Sequence, residues 1–383
     1  MIIEHASEAK IHQGTLLSRE TTTSVSWRLR TSLRSSSTSR GSEQDAEVVG
    51  LSSPAREGFG GKAKCQGPHD PPSWVLDTAN RLSIPYVETL HGMHSLFGRD
   101  RAMEAERGRR LAGIVPVSDL MRLQYLDINP TFPQERIVTI PNGVDDSRRT
   151  LVNRQWARAR WGIQDEYMFV SLARHSLQKN TYGLVAAFEE VAERHPDAYL
   201  VIAGRPDDPV YFTQVMRLRA GLSCRDRVHL RDHISNPSEL LALADGFVLD
   251  SFFEAWSLAS MEALHAGVPV VLSEVAGARE QVGEGEARGH LIPNPVGDPL
   301  RVNRETMREA RFARQVNREA LVAAMSSLIT NRATRLAARQ RLISESAARF
   351  HPDVCLRSHA RMLVAAANGE PLLRERALHG ERP

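Results

Sequence analysis

Cysteine is scarce in this sequence, and its few thiols are badly spaced for covalent or metal chemistry. The 383 residues include only Cys65, Cys224 and Cys355. An odd number of widely separated thiols excludes a disulfide framework and offers no metal-ligand spacing. This usage favours a reducing cytoplasm.

A strong excess of one charge sign is also missing. Lysine and arginine number 49 against 46 acidic residues, so the net charge is +3. A dedicated nucleic-acid binder carries a concentrated basic surface, so we expect no nucleic-acid partner. The Arg-rich stretch 301–341 suits either contact with anionic lipid or a solvated helical face, and the second interpretation is favoured.

Long apolar runs are absent as well. We find no stretch long enough to span a bilayer, and residues 1–17 lack the apolar middle of a signal peptide. The sequence therefore predicts a cytoplasmic protein, with peripheral membrane contact left open.

Residues 1–66 are short of large apolar side chains. Residues 21–42 are mostly serine, threonine and arginine, a composition that cannot bury enough surface to offset ordering. We predict a disordered or atypical leader. A targeting peptide is the alternative, against which the early acids Glu4 and Glu8 count. The glycines from Gly58 to Gly61 follow no clear strand, so they do not predict a phosphate loop.

From about residue 74, strand patterns alternate with helix patterns, which indicates a parallel sheet covered by helices. A first domain, residues 67–148, has helices predicted at 74–82, 101–111 and 118–126 and strands at 84–90, 113–117 and 136–140. Ser118 is a plausible N-cap for the third helix. Three such units make an incomplete Rossmann-like domain.

A second series predicts a nearly complete doubly wound domain at 149–350. Its strands are expected at 167–173, 198–203, 227–230, 246–250 and 268–273, and its helices at 181–194, 211–221, 237–244 and 257–266. A helix at 352–367 has apolar residues at helical spacing. Residues 351–383 are expected to pack back toward the first domain.

The segment from Ser251 to Leu264 has the strongest chemical pattern. A strand runs into it, so Glu254 lies just past the carboxyl end of that strand, where open parallel sheets bind ligands. The helix beginning near Ser257 offers backbone N–H groups that suit a diphosphate. Glu262, eight positions after Glu254, could accept hydrogen bonds from ribose hydroxyls. A plain helix start with one solvated acid is the equal alternative.

Two further motifs follow other strands. Arg174 and Lys179, five apart on the loop after the strand at 167–173, could both point at one anion. A solvated basic loop is the alternative. His91, after the strand at 84–90, could bond a sugar hydroxyl, although a lone histidine is more often structural.

The glutamates at 254 and 262, followed by Ala263 and the run Gly267–Val271, resemble the retaining GT-B glycosyltransferases of group 1. That family implies an α/β fold with two Rossmann-like domains facing a cleft, the donor lying mainly on the second. It implies that the first glutamate contacts the donor sugar and the second contacts the ribose.

The resemblance also implies roles for the other motifs. Arg174 and Lys179 would bind the leaving diphosphate, and His91 would face a sugar. The loop 232–237 would lie near the nucleotide base. Glu280 lies on a turn toward the same crevice, although a solvated acid is at least as good an interpretation. Candidate nucleotide-binding positions are Ala255, Ser257, Leu258, Gly204, Ile234 and Glu262.

Several positions depart from the family pattern. Asn180, Ala255 and Ser257 stand where the family usually has glycine. Small residues still allow close backbone approach, so donor binding is expected to survive. The family's amino-terminal Gly-rich loop is missing, which puts the acceptor side in doubt.

These features predict sugar transfer, with retention of configuration, from a UDP- or GDP-linked donor to a glycan or lipid-linked acceptor. No metal or other cofactor is expected. The rival is a truncated or inactive homologue that binds nucleotide sugar or a partner without catalysis. A GT-B-fold epimerase is less favoured, and a nicotinamide dehydrogenase is disfavoured because no strand leads into a Gly-x-Gly-x-x-Gly turn.

Overall fold

The computed structural model describes most of the chain from residue 73 onward, together with two short strands before it. The described residues are 26–29, 48–51, 73–92, 98–144 and 152–372. They fall into two compact units, one drawn from Met1–Val117, Met121–Ile140 and Arg357–Pro383, the other from Ser118–Leu120 and Pro141–Leu356. Residues 145–151, where the sequence predicts the domain boundary, lie outside the described residues.

Within the predicted leader, the structure describes one antiparallel pair, β1 (Ser26–Leu29) and β2 (Val48–Leu51). The remaining residues of 1–66, including the glycines from Gly58 to Gly61, lie outside the described residues.

The rest of the first unit is built on a parallel pair, β3 (Val87–Leu90) and β4 (Gly113–Pro116). Helices α1 (Ser73–Arg81) and α2 (Arg101–Arg109) precede these strands, and α3 (Asp119–Ile128) begins just after them.

The strand predicted at 136–140 is not formed, and this prediction is wrong. A short 3-10 turn, Gln134–Arg136, comes first, and only a single bridge joins Ile137 to Ile114. The backbone N–H groups of Val138 and Ile140 still donate to this neighbouring strand, at 3.1 and 3.0 Å. Only residues 137–140 lie between this turn and Pro141. Because proline has no N–H to donate, the hydrogen-bonded pairing cannot continue past Ile140.

The second unit contains a six-stranded, all-parallel sheet. Its strands are β5 (Tyr167–Leu172), β6 (Ala198–Ala203), β7 (Val228–Arg231), β8 (Gly246–Leu249), β9 (Val270–Ser273) and β10 (Gly289–Ile292). The strand order is β10-β9-β8-β5-β6-β7. The chain therefore fills one half of the sheet from β5 outward and returns to fill the other from β8, so the two halves meet between β5 and β8.

Helices cover both faces of this sheet, as a doubly wound domain requires. They are α4 (Arg154–Arg160), α5 (Thr181–Arg194), α6 (Pro209–Gly221), α7 (Pro237–Leu243), α8 (Leu258–His265), α9 (Ala278–Val282), α10 (Arg304–Ala310), α11 (Arg318–Thr330), α12 (Arg332–Ala337) and α13 (Arg339–Arg349). The helix predicted at 181–194 and the strand predicted at 198–203 match α5 and β6 at both ends.

A hydrophobic core lies where α5 and α11 pack on the sheet. Phe169, Phe188, Leu200 and Met325 are fully buried there. Burying each such side chain contributes about 1.5–3 kcal/mol. This core makes the carboxyl edge of the sheet a rigid base for the loops above it.

The last helix among the described residues is α14 (Pro352–Asn368). In the first unit, the Leu372 N–H donates to the carbonyl of Glu135 at 2.6 Å. No helix among the described residues is long and apolar enough to cross a membrane.

Candidate functional site

The predicted residues of the second unit gather at the carboxyl edge of its sheet. The loop after β5 carries Arg174 and Lys179, and the loop after β8 carries Glu254. Because β5 and β8 are neighbours, both loops leave the sheet side by side. This is the point where the strand order reverses, which is where doubly wound folds bind ligands.

Lys179 and Glu254 form an ion pair. The lysine side chain is 16% exposed and the glutamate side chain 9%. The Ser251 hydroxyl donates to the same carboxylate oxygen at 2.7 Å. The Ser251 hydrogen bond helps to hold the glutamate of this largely buried pair in place. The lysine side chain keeps some contact with solvent.

Arg174 lies on the same loop but pairs with a different acid. Its guanidinium meets Asp207 at 2.5 Å and is about half exposed. Its other Nη donates to Gln178 at 3.4 Å. The structure therefore places the two cations of this loop in separate ion pairs, where the sequence suggested a single shared anion.

The loop that carries Arg174 is fixed from below by His175. This fully buried imidazole bonds the carbonyl of Arg231 through Nε2 at 2.8 Å. Burial lowers its pKa, since the charged form loses hydration. No role for His175 was predicted, because nothing in the sequence pattern marks a buried histidine.

Helix α8 begins at the same edge. Ser257 is its N-cap, and the side chain accepts from the N–H of Ser260 at 3.2 Å. Leu258, the first helical residue, is 39% exposed. The first-turn N–H groups and the helix dipole make this end attractive to an anion.

A small cavity opens beside this helix start. Its lining residues come from β8 and β9, from the loops that follow these strands and from α9: Leu249, Glu254, Ser257, Leu272, Val275, Gly277, Ala278 and Gln281. Glu254 and Ser257 therefore line the same small cavity.

Gln281 is the lining residue that sequence reasoning missed. Its amide donates to the carbonyl of Ser257 at 3.0 Å and accepts from the Ser260 hydroxyl at 2.5 Å. It thus holds the start of α8 in place. Gly277 lines the same cavity. A Cβ at this position would collide with the Trp256 ring, so the close packing there requires glycine. A glycine after a strand could have signalled such close approach.

Glu280 is half-buried, and its Oε2 is buried, which decides against the solvated interpretation. Its Oε1 accepts from the Asp119 N–H at 2.8 Å, in the same unit. Burial raises the pKa of this carboxyl.

The remaining predicted positions lie near these loops or apart from them. Gly204 follows β6 at a point where a Cβ would collide with the backbone of Ala173. Ile234 is half-buried in the loop after β7, and Glu262 is half-buried on α8. The Ala255 carbonyl accepts from the Gly277 N–H at 3.2 Å. His91 belongs to the first unit, directly after β3, and is half-buried.

Metal chemistry has no prepared site within the described ranges. No group of three or more His, Cys, Asp or Glu side chains there is placed to hold an ion.

Comparison with known proteins shows a family resemblance in the second unit, which carries these residues. Residues 153–299 match the model of the glycosyl transferases group 1. A glycogen synthase of Mycobacterium tuberculosis is 28% identical over 262 residues, which cover 63% of this chain and 60% of the relative. An uncharacterized glycosyltransferase of Methanocaldococcus jannaschii is 29% identical over 214 residues, covering 51% and 53%. The chain thus spans less than two thirds of either relative.

Solved structures support the fold. A glycosyltransferase from Rickettsia africae superposes with a TM-score of 0.57 at 15% identity, covering 77% of this chain and 80% of that one. Anabaena HepE in complex with UDP gives 0.60 at 16% identity, covering 76% and 75%. The fold is the α/β GT-B class with Rossmann-like domains. Residues 153–299 are thus similar to the glycosyl transferases of group 1, over somewhat more than a third of the chain.

Proposed function

We propose that this protein transfers a sugar from a nucleotide-diphosphate donor to an acceptor hydroxyl, with retention of the anomeric configuration. The observation that carries the proposal is the juxtaposition of Lys179 and Glu254 at the switch point of the sheet, beside the start of α8. One cation, one sugar-binding carboxylate and one helix N-terminus meet there.

The reaction breaks the bond between the anomeric carbon and the diphosphate and forms a bond to the acceptor oxygen. Negative charge develops on the departing diphosphate, and fixed positive groups lower the barrier by stabilising it. Lys179, Arg174 and the α8 N-terminus supply that charge. The leaving phosphate takes the acceptor proton, so the atoms balance without a dedicated side-chain base.

The ion pairs seen in the structure set the order of events. Lys179 is bonded to Glu254, and Arg174 to Asp207. Arriving phosphates exchange these carboxylate partners for phosphate oxygens. Glu254 is then released to accept hydrogen bonds from the donor sugar, with Ser251 holding one of its oxygens.

The nucleoside extends away from this centre. Glu262 accepts from the ribose hydroxyls, and the half-buried Ile234 packs near the base. Gly204, Ala255 and Leu258 are the remaining positions that we place beside the nucleotide. We keep His91, directly after β3, as a candidate for contact with a sugar hydroxyl.

Uridine is supported as the nucleoside by several solved structures of the same fold. Anabaena HepE was solved with UDP-glucose, and a pneumococcal O-GlcNAc transferase with UDP and GlcNAc. A GDP-linked donor remains the second candidate. The acceptor is a glycan or a lipid-linked molecule, and we place the reaction in the cytoplasm, with peripheral membrane contact through the Arg-rich stretch 301–341 as an option.

We propose that turnover needs no metal, because two cations and a helix N-terminus already face the diphosphate. Chelation with EDTA should leave the rate unchanged. Restoration of a lost rate by added Mg²⁺ or Mn²⁺ would contradict this.

The test of the function is transfer or donor hydrolysis with a panel of UDP- and GDP-sugars. In Lys179→Ala, turnover of an accepted donor should fall by about 100- to 1,000-fold, because one fixed charge on the leaving group is lost. Arg341→Ala, an exposed residue paired with Glu345 on α13, is the matched control and should keep full activity. Full activity in the Lys179 variant would reject the assignment.

A binding protein without catalysis is the second candidate. The chain spans 53% and 60% of the lengths of the two relatives above, so catalysis by this chain needs a test of its own. Tight binding of a nucleotide sugar, with neither transfer nor hydrolysis, would establish it.

A further inference from the structure

A buried hydrogen-bond network lies directly beneath the Lys179–Glu254 pair. Asp250 is its centre and is 1% exposed. Its two carboxylate oxygens accept from the amides of Asn180 and Asn317, each at 2.7 Å. Gln315 and Asn180 exchange two further amide hydrogen bonds, both at 2.7 Å. Apart from the buried Asn317 Oδ1, which has no hydrogen-bond partner, these polar side chains bond one another, so their geometry is strongly specified.

The network joins three separate segments of the second unit. Asn180 ends the loop after β5, Asp250 begins the loop after β8, and Asn317 precedes α11. Asn317 also donates to the carbonyl of Pro293 at 3.0 Å. The two substrate-facing loops are thereby tied to the helix that packs in the core.

Three consecutive residues of the first loop bond to the second loop. Gln178 accepts from the Phe252 N–H at 2.9 Å and donates to the Phe253 carbonyl at 3.2 Å. Lys179 pairs with Glu254, and Asn180 donates to Asp250. The register of these loops therefore fixes where the lysine ammonium stands.

The backbone around Asn180 is shaped for this contact. Its φ of 50° and ψ of 39° lie in the left-handed region, which glycine and asparagine adopt most readily. Asparagine meets that requirement and adds an amide that caps α5 through the Gly183 N–H. A Cβ at Gly183 would collide with the side chains of Asn180 and Gln315. Both positions are thus fitted to the amide pair.

We propose that Asp250 and the two asparagines that donate to it are positioning residues for the phosphate-binding loop. They touch neither donor nor acceptor. They hold Lys179 in the position from which it can bind a diphosphate. They also keep the loop that carries Lys179 in register with the loop that carries Glu254. The inference rests on the proposed function, since it assigns the network a task in donor binding.

Asn180→Gly is the sharpest variant, because glycine keeps the left-handed backbone and deletes the amide. We would measure the Kd of UDP and of GDP by calorimetry in the parent, Asn180→Gly, Lys179→Ala and the double variant. We expect Asn180→Gly to weaken binding by about tenfold in the parent, the worth of roughly one well-placed hydrogen bond. In the Lys179→Ala background it should add little, because the residue it positions is gone.

Asp250→Asn is the second variant, in case the first is too unstable to study. It preserves shape but brings an NH₂ group against an amide donor, so binding should weaken in the same Lys179-dependent way. Asn153→Ala, which removes the N-cap of α4, is the control for a general loss of stability. It should lower the free energy of unfolding and leave both Kd values unchanged.

The outcomes separate the two proposals. A parent that binds neither UDP nor GDP rejects the donor site, and the positioning role with it. Parent binding with an unaffected Asn180→Gly variant rejects the positioning role alone. Equal losses with and without Lys179 also reject it, since the network would then act on the fold as a whole.

Discussion

The two ends of strand β8 each carry a buried aspartate, and their surroundings differ sharply. Asp245, before the strand, is bonded by Arg154 at 2.6 Å, Arg158 at 3.1 Å and Arg332 at 3.3 Å. Asp250, after the strand, receives its hydrogen bonds from neutral amides. One carboxylate is compensated by full charges, the other by dipoles.

The difference follows from what each edge has to do. At the amino edge, Arg154 and Arg158 also donate to backbone carbonyls at the end of α7, such as that of Leu243. They neutralise the acid and satisfy orphan carbonyls at once. At the carboxyl edge, amides organise the loops while the lysine is left for the site. Charge compensates the aspartate at one edge, whereas the lysine at the other edge pairs with Glu254, where we propose the donor site.

Asp245→Asn should give the largest effect on stability. It leaves three arginines around a neutral amide, so the free energy of unfolding should fall by about 3–5 kcal/mol. Asp250→Asn, measured alongside by urea denaturation, should cost less because no buried cation loses its partner. Equal losses at the two sites would break the comparison.

Glu254→Gln should separate binding from chemistry at the carboxyl edge. Transfer should fall by about 100-fold, because the amide is a poorer acceptor for the sugar hydroxyls than a carboxylate. The affinity for UDP should be retained or increased, since the variant no longer competes with phosphate for Lys179. Steady-state rates and calorimetry check the two halves, and a parallel loss of UDP affinity would contradict the competition.

The pH dependence of stability should reveal Asp250. Burial raises the pKa of its carboxyl from 3.8 to about 7, although both amides favour the charged form. Between these values the folded chain keeps a proton that the unfolded chain has released, so the free energy of unfolding falls as pH rises. Relative to Asp250→Asn, the parent should lose up to about 1.4 kcal/mol per pH unit in this window. If the difference in free energy of unfolding between the parent and Asp250→Asn did not change with pH, the raised pKa of the Asp250 carboxyl would be rejected.

The smallest effect is expected at the helix start. Ser257→Ala removes the N-cap bond to Ser260, which should cost about 1 kcal/mol of stability. Ser257→Gly should cost only a few tenths. Thermal denaturation of the two variants measures the difference. An alanine variant as stable as the parent would show that the Ser257 N-cap does not stabilise α8.

Much of the second unit was predictable from local pattern. Asn180 before the helix and Arg194 at its end give α5 clear boundaries, and β6 is a continuous apolar run that ends at a glycine. The prediction of a strand at 136–140 was wrong because an apolar pattern does not fix the length of a strand. Here the pairing with β4 and the position of Pro141 limit it to a single bridge. Glu254 and Lys179 could be predicted to lie on one edge of the sheet because each follows a buried strand, and the structure brings the two side chains together.

The sequence by itself determined the parallel α/β class and the carboxyl-edge motifs, because periodicity and strand ends are local properties. Their pairing was decided by the tertiary structure. Asn180 read as a departure from a family glycine, and only the fold showed that its amide meets Asp250, 70 positions away. Gln281 and Asn317 reach the site in the same way. Strand order fixes these partners, and strand order is set by the packing of the whole sheet.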